Sequence, residues 1–157
     1  MGTSKHIDRN SIRLLVYGGL VAGSFILDRL TKLWAMASLA SGTPEPFIPG
    51  VMNLLLVENT GAAFSIGAGH TWFFVIFALA FVGAATYFSL CSKDLNLGSI
   101  VCLALVAGGA LGNCYDRMFQ GFVTDFLSLI PISFPVFNVA DIFVTMGILL
   151  FFVFLDR

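Results

Sequence analysis

Four charged residues that could carry chemistry follow Gly108 in the sequence: Asp116, Arg117, Asp125 and Asp141. Apolar runs long enough to enter a bilayer flank them, and a charge near the bilayer centre costs about 3 kcal/mol. Two carboxylates brought within a few ångström cannot both ionise, so one keeps a proton. Such a pair can hold a water, take its proton as it attacks a carbonyl, and protonate the leaving amine. We therefore predict that Asp125 and Asp141 face each other at one membrane surface and hydrolyse peptide bonds as a pair.

The composition is that of an integral membrane protein. Hydrophobic residues make up 58% of the 157 residues and charged residues 11%, whereas a soluble domain carries about 25% charged residues. This length accommodates roughly four spanning helices of about 20 residues with short loops, so we predict a single domain. A net charge of −1 without a basic patch gives no support for a nucleic-acid partner.

The hydropathy pattern predicts an all-α polytopic membrane protein, with four transmembrane helices and a small β-rich extracytoplasmic loop region. The single membrane domain covers residues 1–157, with spans at about 14–34, 71–91, 95–115 and 136–155, and outer loops at 40–70 and 116–135. Within the first loop, prolines and glycines predict short strands with turns at Pro49-Gly50 and Asn59-Thr60-Gly61. The second loop is predicted to be irregular.

Glycines four residues apart predict close helix packing in the first and third spans. These pairs are Gly19 with Gly23 and Gly108 with Gly112. A cleaved signal peptide ending near residues 35–37 is the less favoured alternative for the first span, because three charges lie between its apolar run and that small-residue site.

The basic residues predict the orientation. With four spans, five of them fall on one side, namely Lys5, Arg9, Arg13, Lys93 and Arg157. Lys and Arg in short flanks mark the cytoplasmic side, so we expect both termini to be cytoplasmic.

The polar residues of the spans are predicted to meet at the opposite, outer level. Asp28 lies about 21 Å along the first span if each residue rises about 1.5 Å. Asn113 with Arg117 closes the third span, and Asn138 with Asp141 opens the fourth. This layout favours an active site near the surface over a conduction path through the bilayer.

Several of these residues have simpler structural interpretations. Asp28 and Lys32 are four apart and can form a local helix pair, while Asp116-Arg117 favours a structural ion pair or cap. Asp141 can complement the positive end of a helix. Asp125 can be a solvated loop carboxylate, and Asn59 a turn residue.

Two other classes of function are alternatives to a peptidase. A small transporter or channel subunit with a carboxylate relay predicts polar groups through the depth of the bundle. A non-enzymatic scaffold leaves the outer charges without a role. His6, His70 and the three cysteines show no metal-ligand spacing, so no metal is expected.

Six stretches resemble the family of lipoprotein signal peptidases, the type II signal peptidases of bacteria, in order along nearly the whole chain. They are Asp28-x-x-Thr31-Lys32, residues 58–65 (ENTGAAFS), residues 108–113 (GGALGN), Tyr115-Asp116-Arg117, residues 123–126 (VTDF) and residues 137–141 (FNVAD). The resemblance implies a membrane aspartyl endopeptidase of the bacterial cytoplasmic (inner) membrane with its active site at the periplasmic face. The implied substrate is a prolipoprotein, cut just before a cysteine that carries diacylglycerol.

The resemblance also implies the roles of individual residues. Asp125 and Asp141 match the catalytic pair, and the supporting or binding residues match Asp28, Lys32, Asn59, Gly61, Asn113, Arg117 and Asn138. It implies no cofactor, inhibition by globomycin-type molecules with a hydroxyl between the aspartates, and contact with membrane lipid; we expect a monomer. Three positions depart from the common pattern, namely Arg29, Cys114 and Thr124, and they put fine substrate preference in doubt rather than the reaction.

Overall fold

The computed structural model describes residues 9–40, 42–61, 70–92 and 94–154. Four helices and three strands follow one another along the chain: α1 (Arg9–Ser38), β1 (Glu45–Ile48), β2 (Met52–Asn59), α2 (Thr71–Cys91), α3 (Leu97–Phe119), β3 (Val123–Leu129) and α4 (Val139–Phe154). Predictions that concern residues 1–8, 62–69, 93 and 155–157, including the basic residues Lys5, Lys93 and Arg157, lie outside the described residues.

The helices are apolar enough for a membrane. Within the described ranges, α1, α2 and α3 are long and apolar enough to cross a bilayer, and α4 is a shorter apolar helix. Together with the small three-stranded sheet, these helices confirm the predicted fold class. Helix α1 begins at Arg9 and ends at Ser38, so it extends beyond the predicted span at both ends.

Helix α3 lies between α1 and α4, and glycines allow the close contacts. A Cβ atom at Gly108 or Gly112 would collide with Ser24 or Asp28 of α1, and one at Gly109 would collide with the backbone of Ala140 in α4. The predicted close approach therefore holds for the pair in α3. It is wrong for the first span, because Cβ atoms at Gly19 and Gly23 would meet nothing within 4 Å.

Replacing Gly112 by Ala is expected to destabilise the protein, because the added methyl group must displace the carboxylate of Asp28. Overpacking of this kind costs about 1–3 kcal/mol. Gly23→Ala is the matched control, since its methyl group enters open space and alanine favours a helix over glycine. Thermal unfolding in detergent should show a lower melting temperature for Gly112→Ala alone. Equal melting temperatures for the two variants would contradict this packing.

Hydrogen bonds join the helix ends opposite the sheet. The Arg13 guanidinium donates to the carbonyl oxygens of Ser92 and Leu95 at 2.5 and 2.6 Å, between α2 and α3. Asn96 caps α3 by accepting from the Ser99 N–H, and its amide donates to the Phe154 carbonyl at 2.6 Å. The start of α1, the α2–α3 connection and the end of α4 therefore lie at one level.

The sheet packs over the other end of α1. Its strand order is β1-β2-β3 with both pairs antiparallel, and Gly50 supplies the positive φ of 74° in the turn between β1 and β2. Leu54, Phe126 and Leu127 of the sheet form a hydrophobic cluster with Ala35 and Leu39. This cluster fixes the sheet, and with it the loops that carry polar side chains, relative to the helices.

The second outer loop differs from the irregular segment that we predicted. Its first four residues continue α3 to Phe119, and Val123–Leu129 forms β3 beside β2. The first five residues of β3 are all buried, so the strand lacks the alternation of polar and apolar residues by which a half-buried strand is recognised. Its pairing with β2 brings Asp125 opposite Val57.

Candidate active site

Asp125 and Asp141 line the same cavity. Asp125 lies in the middle of β3 and is 2% exposed, and Asp141 lies in the first turn of α4. The cavity has a volume of about 520 Å³, and Asn59, Asn113 and Arg117 also border it. The structure therefore brings together the two carboxylates that the sequence analysis singled out.

Asp125 is buried and accepts two amide hydrogen bonds. The Asn59 side chain donates to Oδ2 at 2.9 Å, and the Asn138 side chain donates to Oδ1 at 2.6 Å. Burial, with a smaller contribution from the charge of Asp141, raises the pKa of Asp125 to about 6, although the two amide hydrogen bonds act against the rise. Asp125 is thus not a solvated loop carboxylate, and its environment lets it keep a proton at a higher pH than an ordinary aspartate does.

Asp141 takes part in a capping box at the start of α4. The Asp141 N–H donates to Asn138 Oδ1 at 3.0 Å, and the Asn138 N–H donates to Asp141 Oδ2 at 3.1 Å. The other carboxylate oxygen, Oδ1, accepts from the Asn113 amide at 2.8 Å. The helix-terminus interpretation of Asp141 is therefore correct, and the same contacts hold its carboxylate at the cavity.

Two asparagine amides connect the carboxylates. The Asn138 amide nitrogen donates to Asp125 and also to Asn113 Oδ1 at 3.1 Å. Asn113 Oδ1 accepts a second bond from Lys32 Nζ at 2.8 Å. Because two donors face that oxygen, the amide nitrogen of Asn113 must point towards Asp141. Each carboxylate therefore receives a fixed amide N–H.

A buried cluster of ions lies behind the asparagines. Lys32 and Asp28 pair at 2.9 Å, as their spacing predicted, and Lys32 pairs with Asp116 at 2.9 Å as well; all three side chains are fully buried. The Lys32 ammonium thus donates to Asn113 and lies within ion-pair distance of the carboxylates of both Asp28 and Asp116. Asp28 Oδ1 also accepts from the Ala140 N–H at 3.0 Å, so α1 caps the start of α4.

The predicted pair between Asp116 and Arg117 is wrong. Asp116 instead pairs with Arg29 as well as Lys32, and it accepts hydrogen bonds from Gln120 and from the Thr124 backbone. Adjacent helical residues point about 100° apart, which separates the two side chains. Arg29 contacts the Tyr115 ring at 4.6 Å.

Arg117 faces the cavity and holds the end of β2. Its guanidinium donates to the Gly61 carbonyl at 2.9 Å and lies 5.1 Å from the centre of the Phe74 ring. The Gly61 N–H donates to Asn59 Oδ1 at 2.9 Å. The predicted turn at Asn59 therefore orients the same amide that donates to Asp125.

The charges of this region balance if the pair holds one proton. Among the described buried or half-buried residues at this level, the acids are Asp28, Asp116, Asp125 and Asp141, and the bases are Arg29, Lys32 and Arg117. Four acids and three bases leave one negative charge, which one shared proton neutralises. A low-dielectric site favours that neutral state.

The walls of the cavity are apolar and were not identified from the sequence. On α4 the lining side chains include Ile142, Val144, Thr145 and Met146, and Leu129 of β3 and Phe134 of the β3–α4 connection also line the cavity. Thr145 follows Asp141 by four residues, which places both on one helix face. This spacing could have identified Thr145 as a cavity residue from the sequence. A second cavity of about 380 Å³ begins at Asp125 and Asn59 and is bordered by Glu58 and Ser133.

The side chains of Cys114 and Thr124, two of the positions that depart from the family pattern, contact methionine sulfurs. Cys114 is buried and its sulfur contacts Met118, and Thr124 is buried against the sulfur of Met36. Within the described ranges, no three His, Cys, Asp or Glu side chains are placed to hold a metal ion.

Known proteins are similar to this chain in sequence and in fold. A family model described as "Signal peptidase (SPase) II" matches residues 20–156. Lipoprotein signal peptidases of Streptococcus pyogenes serotype M5 (strain Manfredo) and serotype M1 are 39% identical over 124 residues, which is 79% of this chain and 82% of each relative.

Two solved bacterial membrane enzymes, determined by the in meso method at 2.3 and 1.9 Å resolution, are similar in fold. They are each 32% identical to this chain, with TM-scores of 0.79 and 0.77, and the matches cover 90% of this chain and 85% and 90% of theirs. The resemblance found in the sequence is confirmed: the chain belongs to the signal peptidase II family, and it is a multi-pass membrane peptidase of lipoprotein processing.

Proposed function

We propose that this protein is an aspartyl endopeptidase that cuts diacylglyceryl-modified prolipoproteins on the N-terminal side of the lipidated cysteine. The observation that carries the proposal is the position of Asp125 and Asp141 on one cavity, each held by amide donors and joined through Asn138. The apolar wall on α4 suits a substrate that carries acyl chains and an apolar signal peptide.

In the proposed reaction, the ionised carboxylate of the pair takes a proton from a water that lies between the two aspartates. The water oxygen attacks the scissile carbonyl carbon, and the protonated carboxyl supplies the proton that neutralises the developing oxygen charge. The C–N bond then breaks as one carboxyl group protonates the amine of the cysteine, while the other carboxylate takes a hydroxyl proton back from the tetrahedral intermediate. The pair begins and ends the cycle with one proton, which is the state that the charge balance favours.

The proposed location is the bacterial cytoplasmic membrane with both termini in the cytoplasm and the active site at the periplasmic face. Arg9 and Arg13 begin α1 at the end opposite the carboxylates, which supports this orientation. We further propose that the protein acts as a monomer and that globomycin-type inhibitors occupy the cavity.

Cleavage of a lipidated substrate tests the proposed function directly. Purified protein in detergent should release the signal peptide from a diacylglyceryl-modified prolipoprotein, leaving the lipidated cysteine at the new N-terminus, as read by mass spectrometry. The same precursor without the lipid should remain intact, and globomycin should stop the reaction. Absence of cleavage under every condition would favour the transporter or scaffold alternative.

The pH profile tests the role of Asp125. Because the pair needs one proton and the pKa of Asp125 is about 6, kcat/KM should fall as the pH rises through that value. Asn59→Ala removes a hydrogen bond that stabilises the carboxylate, so the pKa should rise and the alkaline limb should move to higher pH. Asn53→Ala, farther along the same strand, should leave the limb in place. A limb that stays fixed in Asn59→Ala would contradict the assignment.

A further inference from the structure

The second cavity, of about 380 Å³, meets the active-site cavity at Asp125 and Asn59. Residues 57–59 of β2 form one of its walls, and residues 133–136 of the β3–α4 connection form the other. Asp125 lies between these walls, because β3 pairs with β2 on one side and bridges to Phe137 on the other. The second cavity is therefore a groove across the sheet that leads to one of the two carboxylates.

The lining of the second cavity differs from that of the active-site cavity. None of the described residues that border the second cavity belongs to a helix, whereas both α3 and α4 line the active-site cavity. Its polar side chains are Glu58, Asn59, Asp125 and Ser133, of which Glu58 and Ser133 are exposed. Polar groups of this kind orient a polar ligand, so the second cavity suits a polypeptide that leaves the membrane better than it suits an acyl chain.

Glu58 carries an uncompensated charge at the edge of the second cavity. Its side chain is exposed and forms no ion pair with any residue that the structure describes. Residues 40–70 contain no Lys or Arg, and Arg117 is the only basic residue in 116–136. Because Arg117 faces the active-site cavity and donates to the Gly61 carbonyl, the second cavity presents a negative charge to an entering molecule. Such a charge attracts cations and repels anions.

We propose that the second cavity binds the part of the substrate that follows the lipidated cysteine, and that Glu58 selects the charge of the first residue there. Lys or Arg at that position is favoured, and Asp or Glu is disfavoured. The assignment of the two cavities to the two sides of the cut rests on the proposed function.

The positions of the two cavities support this assignment. The active-site cavity, with its apolar wall on α4, receives the signal peptide and the acyl chains, and the cut occurs at Asp125, where the cavities meet. An extended peptide advances about 3.3 Å per residue. The residue after the cysteine therefore comes within reach of Glu58, whose neighbour Asn59 donates to Asp125.

Three diacylglyceryl-modified precursors that differ only in the residue after the cysteine, which is Lys, Ser or Asp, test the selection. Cleavage is measured in a nonionic detergent, which excludes any influence of lipid charge. Because exposed ion pairs are weak, each charge should change kcat/KM about threefold relative to the serine precursor. For the unmodified enzyme, kcat/KM for the lysine precursor should therefore exceed that for the aspartate precursor about tenfold. This ratio does not depend on how much of the enzyme is folded.

Substitutions of Glu58 should change the ratio. Glu58→Gln keeps the size of the side chain and removes its charge, so the ratio should fall to about twofold or less, and Glu58→Lys should reverse the preference. Glu45→Gln is the matched control, because Glu45 is exposed on β1 of the same sheet and does not border the second cavity. The same change of net charge there should leave the ratio near tenfold.

Ionic strength provides a second measurement. Raising it from about 0.01 M to about 1 M shortens the Debye length from about 30 Å to about 3 Å, so the ratio for the unmodified enzyme should shrink towards one. A preference based on the shape of the side chain would not respond to salt.

Four results would overturn the selection by Glu58 while leaving the proposed function in place: a ratio near one in the unmodified enzyme, the same ratio in Glu58→Gln, equal falls in Glu58→Gln and Glu45→Gln, or a ratio that salt does not change. Absence of cleavage of all three precursors by the unmodified enzyme would instead contradict the proposed function.

Discussion

Replacing either Asp125 or Asp141 by Asn is expected to lower turnover by about 10⁴-fold or more while the protein still folds. An asparagine amide cannot take or give a proton as the carboxyl group does. Because the two carboxyl groups act as one unit, the loss of either one stops the reaction. Turnover of a lipidated precursor by each purified variant, compared with the unmodified protein, is the measurement.

The folded state should tolerate these substitutions. Asp125 is 2% exposed and its raised pKa shows that burial opposes its charge, so a neutral amide relieves part of that cost. Against this, Asp125→Asn places an NH₂ donor where a carboxylate oxygen now accepts from the amide of Asn59 or Asn138, so one of these two hydrogen bonds is lost. A lost hydrogen bond of this kind costs about 1–3 kcal/mol, which a domain of ordinary stability of about 5–15 kcal/mol survives.

The double variant with Asn at both positions tests whether the two carboxylates act as a unit. If the two carboxylates act as a unit, removing the second after the first should cost almost nothing more in turnover. Asp94→Asn, an exposed carboxylate at the other end of the bundle, is the matched control and should keep full activity. Two independent and multiplying losses, or wild-type turnover in either single variant, would refute the pair.

Hydropathy was enough to predict the helical membrane fold, because bilayer thickness sets the length of an apolar run. The charges also indicated where the site lies, since polar residues inside apolar runs are rare without a purpose. Asp28 with Lys32 and the Asn138–Asp141 capping box are local in sequence, at spacings of four and three residues. Such contacts follow from helix geometry and are accessible from the sequence alone.

Contacts between residues that are far apart in the sequence could not be predicted from the sequence. Arg29 pairs with Asp116 across 87 positions, and no spacing rule connects them. Strand β3 is buried on both faces at its start, so it lacked a periodic signal. Its pairing with β2 then supplies the contact between Asn59 and Asp125, 66 positions apart. Tertiary packing therefore determines the parts of the site that sequence patterns do not show.

The second large effect is expected from Lys32→Met. Lys32 is fully buried and neutralises Asp28, which has no other ion-pair partner among the described residues, and it shares Asp116 with Arg29. Removing one member of a buried ion pair leaves an uncompensated charge and costs about 3–5 kcal/mol. We expect a large fall in the melting temperature in detergent, and turnover lower by about 10²-fold because the Asn113 amide is no longer held in one orientation.

The double variant Lys32→Met with Asp28→Asn separates these two effects. It restores neutrality, and the amide oxygen introduced by Asp28→Asn can still accept from the Ala140 N–H, so most of the stability should return. Turnover should remain low, because nothing replaces the ammonium that fixes Asn113 against Asp141. Recovery of both stability and turnover would show that Lys32 only balances charge. An unchanged melting temperature in Lys32→Met alone would show that the buried ions contribute little to folding. A stable but slow double variant is the result expected if the lysine holds the geometry on which the two carboxylates depend.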